Sequence, residues 1–143
     1  MQKKLLLLFF LFVICASGQN SHAASKTDEY DLQEKCRKSA SEFFATHFGS
    51  GNTNDDYGRT IDTYMNHYNK KLNKCFILID EKVYPKDQLI HMTESRILFD
   101  ANENKEYGSA GTMNDGSFYC DMLNKECCSI NEWNTLLEPY MEE

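Results

Sequence analysis

Five of the six cysteines lie beyond an N-terminal segment built like an export leader. A chain that forms its cross-links only after leaving the cytosol has a restricted choice of folds. Met1 to Ala24 carries Lys3 and Lys4, an apolar run from Leu5 to Cys15, and small residues ending at Ala23 and Ala24. These are the three parts of a secretory signal, which places cleavage near Ala23 or Ala24. The apolar run falls well short of the roughly 20 residues that span a hydrocarbon core. Cys15 invites a lipoprotein reading, but Ile14 is bulky where lipid processing wants a small residue, so simple cleavage is preferred. The sequence thus divides into a signal peptide, 1–24, and a single disulfide-stabilised domain, 25–143, acting in the periplasm or outside the cell, with no integral membrane segment once the leader is gone.

A domain of this size buries about two thirds of its unfolded surface and gains much from covalent staples. Removal of Lys3 and Lys4 with the leader leaves 13 basic residues against 22 acidic ones, a formal charge of −9. Such a field repels polyanions, so nucleic acid is excluded as a partner and only a local basic patch, Lys70, Lys71 and Lys74, runs against it.

The periodicity predicts helices first, then strands, then a closing helix. Leu32, Cys36, Ala40, Phe43, Phe44 and Phe48 recur at helical spacing over about 28–47, with acidic residues at the start and Gly49 placed to stop it. After a polar connection at 49–56, the residues Tyr57, Ile61, Tyr64, Met65, Tyr68, Leu72 and Cys75 form a second stripe of the same period. The expectation is an antiparallel helical hairpin. From Phe76 the pattern changes to short apolar runs: Phe76 to Ile79, Ile90 to Phe99, Glu106 to Met113, Ser117 to Met122, and a piece around Cys127. Asn114-Asp115-Gly116 is a hairpin signal, because Gly accepts positive φ. Ser129 and Glu132 make a capping box ahead of Trp133, so a last helix begins at Ile130, and Pro139 should end or kink it near Glu138. The resulting fold class is α+β: an N-terminal helical hairpin, an antiparallel β-meander of four to five strands, and a C-terminal helix, with the helices covering one sheet face.

In such a hairpin Cys36 and Cys75 lie at the same end, which makes them a natural disulfide. A two-residue turn at Leu123-Asn124 would set Cys120 opposite Cys127; a three-residue turn would pair Cys120 with Cys128 instead. One of the two vicinal cysteines is left as a free thiol, Cys128 in the first scheme, and it permits a covalent dimer. Zinc fits poorly, since there is no CxxC and His47, His67 and His91 are scattered. Asp100, Asn102 and Asn104 imitate the first ligands of a calcium loop, but Lys105 replaces the required glycine, so a hydrated turn is the better reading.

His67 to Phe76 (HYNKKLNKCF), Asn102 to Ser109 (NENKEYGS) and the C-x6-C-x-S-x-x-E-W stretch from Cys120 resemble a family of small exported bacterial proteins of uncharacterised function. The resemblance implies Cys127 as the paired member and Cys128 as a departure, and it implies no activity. No catalytic motif, metal set or cofactor motif stands out in the sequence. The functional expectation is a non-catalytic binding or interaction module with a protein or small-ligand partner, using a groove between the helical hairpin and the sheet. The alternative is a small secreted thiol- or histidine-dependent enzyme using Cys128 or one of the histidines.

Overall fold

The computed structural model describes residues 26–142 apart from Gln88; the leader, with Cys15, lies outside the described residues. The chain forms helix α1 (Lys26–Phe48), strands β1 (Asn52–Asn54), β2 (Gly58–Asn69), β3 (Lys74–Pro85), β4 (Thr93–Asp100), β5 (Lys105–Thr112), β6 (Phe118–Met122) and β7 (Lys125–Glu126), and helix α2 (Ile130–Met141). All seven strands join one antiparallel sheet whose spatial order is their order in sequence.

This overturns the helical hairpin. The segment assigned to a second helix is β2, which pairs with β3 along its whole length, Gly58 opposite Pro85 and Asn69 opposite Lys74. Thr60, Ile61, Thr63, Tyr64 and Tyr68 favour a pleated surface over a helix. The turn closes at Lys70–Asn73, where Asn73 takes φ 52° and the Asn69 side-chain oxygen accepts the Leu72 N–H at 2.9 Å. Tyr57, the first residue of the supposed stripe, is 88% exposed, and Leu72 lies in the turn. The meander therefore has seven strands rather than four to five, because the hairpin arm counted as helix and the polar connection holding β1 both belong to the sheet.

A second correction concerns the faces. Cys75, Phe76, Ile77, Leu78 and Ile79 are all buried in β3, which alternation permits only if both sides of the sheet are covered. Ile77 and Ile79 pack with Ala40 and Phe43 of α1, together with Phe44, Phe48, Tyr64 and Phe99. Phe76 and Leu78 point the other way, into a cluster with Leu98, Ala110, Met122 and the α2 residues Trp133 and Leu137. The two helices lie on opposite faces of the sheet, not together on one. Rings complete each layer: Phe43 meets Phe99 at 5.1 Å and Phe44 meets Tyr64 at 4.6 Å on the α1 side, while Phe76, Tyr107 and Tyr140 meet edge-on at 5.1 to 5.6 Å on the α2 side. Each fully buried side chain of this size stabilises the fold by about 1.5–3 kcal/mol.

The start of α2 has one arm of a capping box, the Ser129 hydroxyl accepting the Glu132 N–H, while the Glu132 carboxylate reaches one residue further back and accepts the Cys128 N–H at 2.9 Å. Pro139 does not end the helix, which continues to Met141. The last carbonyls of a helix have no helical donor beyond them. Here the buried Asn69 amide donates to the carbonyls of Pro139 at 2.8 Å and Tyr140 at 3.3 Å, so β2 supplies hydrogen bonds to the last turn.

Candidate functional site

Helix α2 packs on the Leu78–Leu98–Met122 level of its face and over Ala110 and Cys120 on the next, and leaves the β2–β4 part of that level and the level beyond it open. Alternation places Thr63, Asp80, Arg96 and Ala110 on one of these levels and Lys82, Glu94, Thr112 and Phe118 on the next. With Ile130 and Asn134 from the first turns of α2, they line a groove of about 700 Å³. Its floor carries two cross-strand ion pairs of opposite polarity. Arg96 Nε lies 2.8 Å from Asp80, so positive charge projects from β4 and negative from β3; one level on, Lys82 Nζ of β3 lies 3.0 Å from Glu94 of β4. The hydrogen bond to Glu94 raises the Lys82 pKa, which keeps the ammonium charged. All four side chains remain partly solvated, so they can exchange partners without leaving a buried charge unpaired.

On the other face, the row Asp62, Glu81 and Ser95 runs across three strands. Asp62 is buried and one of its carboxylate oxygens has no hydrogen-bond partner. Burial, and then the Glu81 carboxylate opposite it, raise its pKa. Glu81 accepts the Ser95 hydroxyl at 3.0 Å. No group of three or more potential metal ligands exists among the described residues.

A second crevice, about 560 Å³, runs between α1 and the sheet beside the first disulfide, with Leu32, Lys35, Ser39, Tyr68 and Asn102 on its walls. Cys36 and Cys75 are bonded, with Cα atoms 5.2 Å apart. The hairpin geometry that first brought them together does not exist; Cys75, the second residue of β3, faces α1, and Cys36 is buried on the α1 surface above it. Cys120 and Cys127 are bonded across the β6–β7 hairpin with Cα atoms 5.1 Å apart. The left-handed pair Leu123 and Asn124, φ 51° and 65°, makes the two-residue turn that brings them opposite. Cys128 is exposed and unbonded, its N–H committed to Glu132.

The remaining candidate residues do not converge. His47 ends α1 with its ring 4.5 Å from Phe43, His67 lies in β2, and His91 lies between β3 and β4. The Cys128 thiol makes no hydrogen bond among the described residues, so the thiol-enzyme alternative has no nucleophile–base contact to stand on. The calcium-like stretch is a turn: Asp100 accepts the N–H groups of Asn102 and Glu103 at 3.0 and 3.2 Å and bonds Lys74 at 2.6 Å. That contact, with a second from Glu103, raises the Lys74 pKa. Two of the three lysines of the basic patch are spent in the same way, since Lys70 pairs with Glu29 and Lys74 with Asp100 and Glu103.

No family model, curated protein or solved structure matches the chain. Function therefore has to be argued from the site. No helix among the described residues is long and apolar enough to cross a membrane. The groove was hidden from sequence analysis because its floor comes from four strands, and the residue called helical, Thr63, forms one wall. The cue present in the sequence was the alternation of Asp80 and Lys82 on β3 against Glu94 and Arg96 on β4.

Proposed function

We propose that the chain is an exported, non-catalytic binding module that takes up a mixed-charge polypeptide segment of a partner in the groove beside α2. The observation that carries this reading is the pair of oppositely polarised ion pairs, Asp80–Arg96 and Lys82–Glu94, on an open concave floor with Phe118 and Ile130 at its rim. A groove of this volume is in the range of ligand sites, and its few polar groups are placed to orient a guest. Arg96 suits a carboxylate of the guest and Glu94 an amine or guanidinium, while the Phe118 and Ile130 side chains offer apolar contact. Two disulfides and the leader-like 1–24 segment support action in an oxidising space after export. The resemblance to small exported bacterial proteins agrees with that compartment.

Replacing Phe118 with a benzophenone amino acid, in a Cys128→Ser background to remove thiol adducts, tests the reading in the exporting cell. A discrete photo-adduct should form at position 118, weaken strongly in Arg96→Glu, and be absent when the probe stands at Tyr57. Equal labelling from Tyr57, or indifference to Arg96→Glu, would refute it.

A further inference from the structure

One row of the sheet gathers negative charge with nothing of opposite sign beside it. Asp62 of β2 and Glu81 of β3 stand directly across from each other on the α1 side, with Ser95 of β4 next in line. Like charges in that relation destabilise a sheet. The cations at neighbouring positions give no relief: alternation sends Lys82 and Arg96 to the other face, where each is paired with an acid of its own, Glu94 and Asp80. Neither Asp62 nor Glu81 has an ion-pair partner among the described residues. A contrast comes from the second buried acid, Asp100, which has the Lys74 ammonium at 2.6 Å and the N–H groups of Asn102 and Glu103. Asp62, only 9% exposed, keeps a fully shielded Oδ1 that accepts no hydrogen bond. An orphaned buried carboxylate oxygen costs stability until a proton or a cation reaches it. The backbone adds to the negative potential. The Gly51 carbonyl accepts the Asp62 N–H at 2.8 Å and the Phe48 carbonyl accepts the Gly51 N–H at 2.9 Å, so the C-terminal end of α1, the negative pole of its dipole, lies beside this carboxylate.

We propose that Asp62 and Glu81 form a calcium-binding site, completed by the Ser95 hydroxyl oxygen and by water. All the donors are oxygen, which suits a hard cation, and two carboxylates balance a divalent charge. Ser95 donates to one Glu81 oxygen at 3.0 Å, which leaves the other Glu81 oxygen and the hydroxyl lone pairs for the ion. Glu81 and Ser95 are half-buried, so the open side of the site keeps water in the coordination shell. Contact with the shielded Asp62 oxygen requires the ion to shed water, which magnesium does reluctantly and calcium, with its irregular shell of six to eight oxygens, does readily. With only two protein carboxylates the dissociation constant falls at about 1 mM, at the weak end of extracellular calcium modules.

Thermal denaturation at pH 7 and constant ionic strength, in chelator and then in about 10 mM calcium, tests this. Calcium should raise the parent melting temperature by about 5 °C, the shift expected at about ten times the dissociation constant, and magnesium at the same concentration should raise it by less than half as much. In chelator Asp62→Asn should melt above the parent, because the orphaned charge is gone, yet Asp62→Asn and Glu81→Gln should each gain less than about 1 °C from calcium. Terbium luminescence on the parent reads the same site without an acid variant. Tyr64 lies two residues from Asp62 on the same face, about 7 Å away, so tyrosine excitation should give terbium emission that calcium displaces and that falls by at least about half in Tyr64→Phe. A parent indifferent to calcium, acid variants that gain as much as the parent, equal shifts from magnesium, or displaceable emission unchanged in Tyr64→Phe would each overturn the proposal.

Discussion

Removing the Cys36–Cys75 bridge should cost nearly as much stability as a small domain has to spare, and the structure says where the loss will be felt. The bridge closes a loop of 39 residues, which the chain-entropy relation values at about 4 kcal/mol. Both sulfurs are buried, so Cys36→Ala with Cys75→Ala also empties a small volume and adds about 1 kcal/mol. Against a total stability of about 5–15 kcal/mol, the doubly substituted protein should remain folded only marginally. With a urea dependence of about 1.5 kcal/mol per molar, the unfolding midpoint should fall by about 3 M. Two probes report separate layers. Trp133 is the single tryptophan and lies fully buried under α2, on the face away from the bridge. The far-ultraviolet circular dichroism is dominated by α1, which is nearly twice as long as α2. Beyond Cys36, α1 buries fully only Ala40 and Phe43. The dichroism should therefore fall at lower urea than the Trp133 signal in the variant, while the two coincide in the parent. A midpoint shift below about 0.5 M, or coincident probes in the variant, would refute the claim that this bridge clamps α1 to the sheet.

Asp62 gives a pH signature. A carboxyl whose pKa is raised on folding binds protons more readily in the native state, so its contribution is favourable at low pH and is lost as pH rises through the raised value. In chelator, Asp62→Asn should raise the melting temperature at pH 7 and have less effect at pH 4; an equal or lower melting temperature at pH 7 would contradict the burial argument. Asn69→Ala should cost about 2–3 kcal/mol in urea titrations, because it leaves the Leu72 N–H and the carbonyls of Pro139 and Tyr140 without this partner. Gly51→Ala should destabilise far more than Gly49→Ala: both have positive φ, but a Cβ at Gly51 would stand 2.5 Å from the Asp62 carbonyl and 2.9 Å from the Phe44 ring, whereas none lies near Gly49. Equal melting temperatures for the two variants would remove that contact from the account.

The parts of the fold legible in sequence were those with local chemistry. Asn114-Asp115-Gly116 turns the chain with Gly116 at φ 81°, Ser129 and Glu132 cap α2, and the apolar stripe from Leu32 to Phe48 is one helix ending at Phe48. The β2 segment failed for a specific reason. Its sheet-facing residues on the α1 side are Asp62, Tyr64, Asn66 and Tyr68, so the alternation is carried by polar and amphipathic groups, while Ile61, Met65 and Leu72 supply a false helical stripe. The burial of Cys75 through Ile79 already demanded cover on both faces, and once β2 is a strand the helices among the described residues that provide it are α1 and α2. The groove and the Asp62–Glu81 pair both follow from that rearrangement, which is why neither could be read from local pattern.

The arrangement of the two helices on opposite faces underlies every inference about the groove and the acid pair, and nuclear Overhauser contacts test it directly. The Trp133 indole should show contacts to Leu78 and Leu98, and the Phe43 ring to Ile77, Ile79 and Phe99, with no residue of β3 shared between the two rings. Contacts from both rings to the same β3 side chains would place the helices on one face and contradict the account.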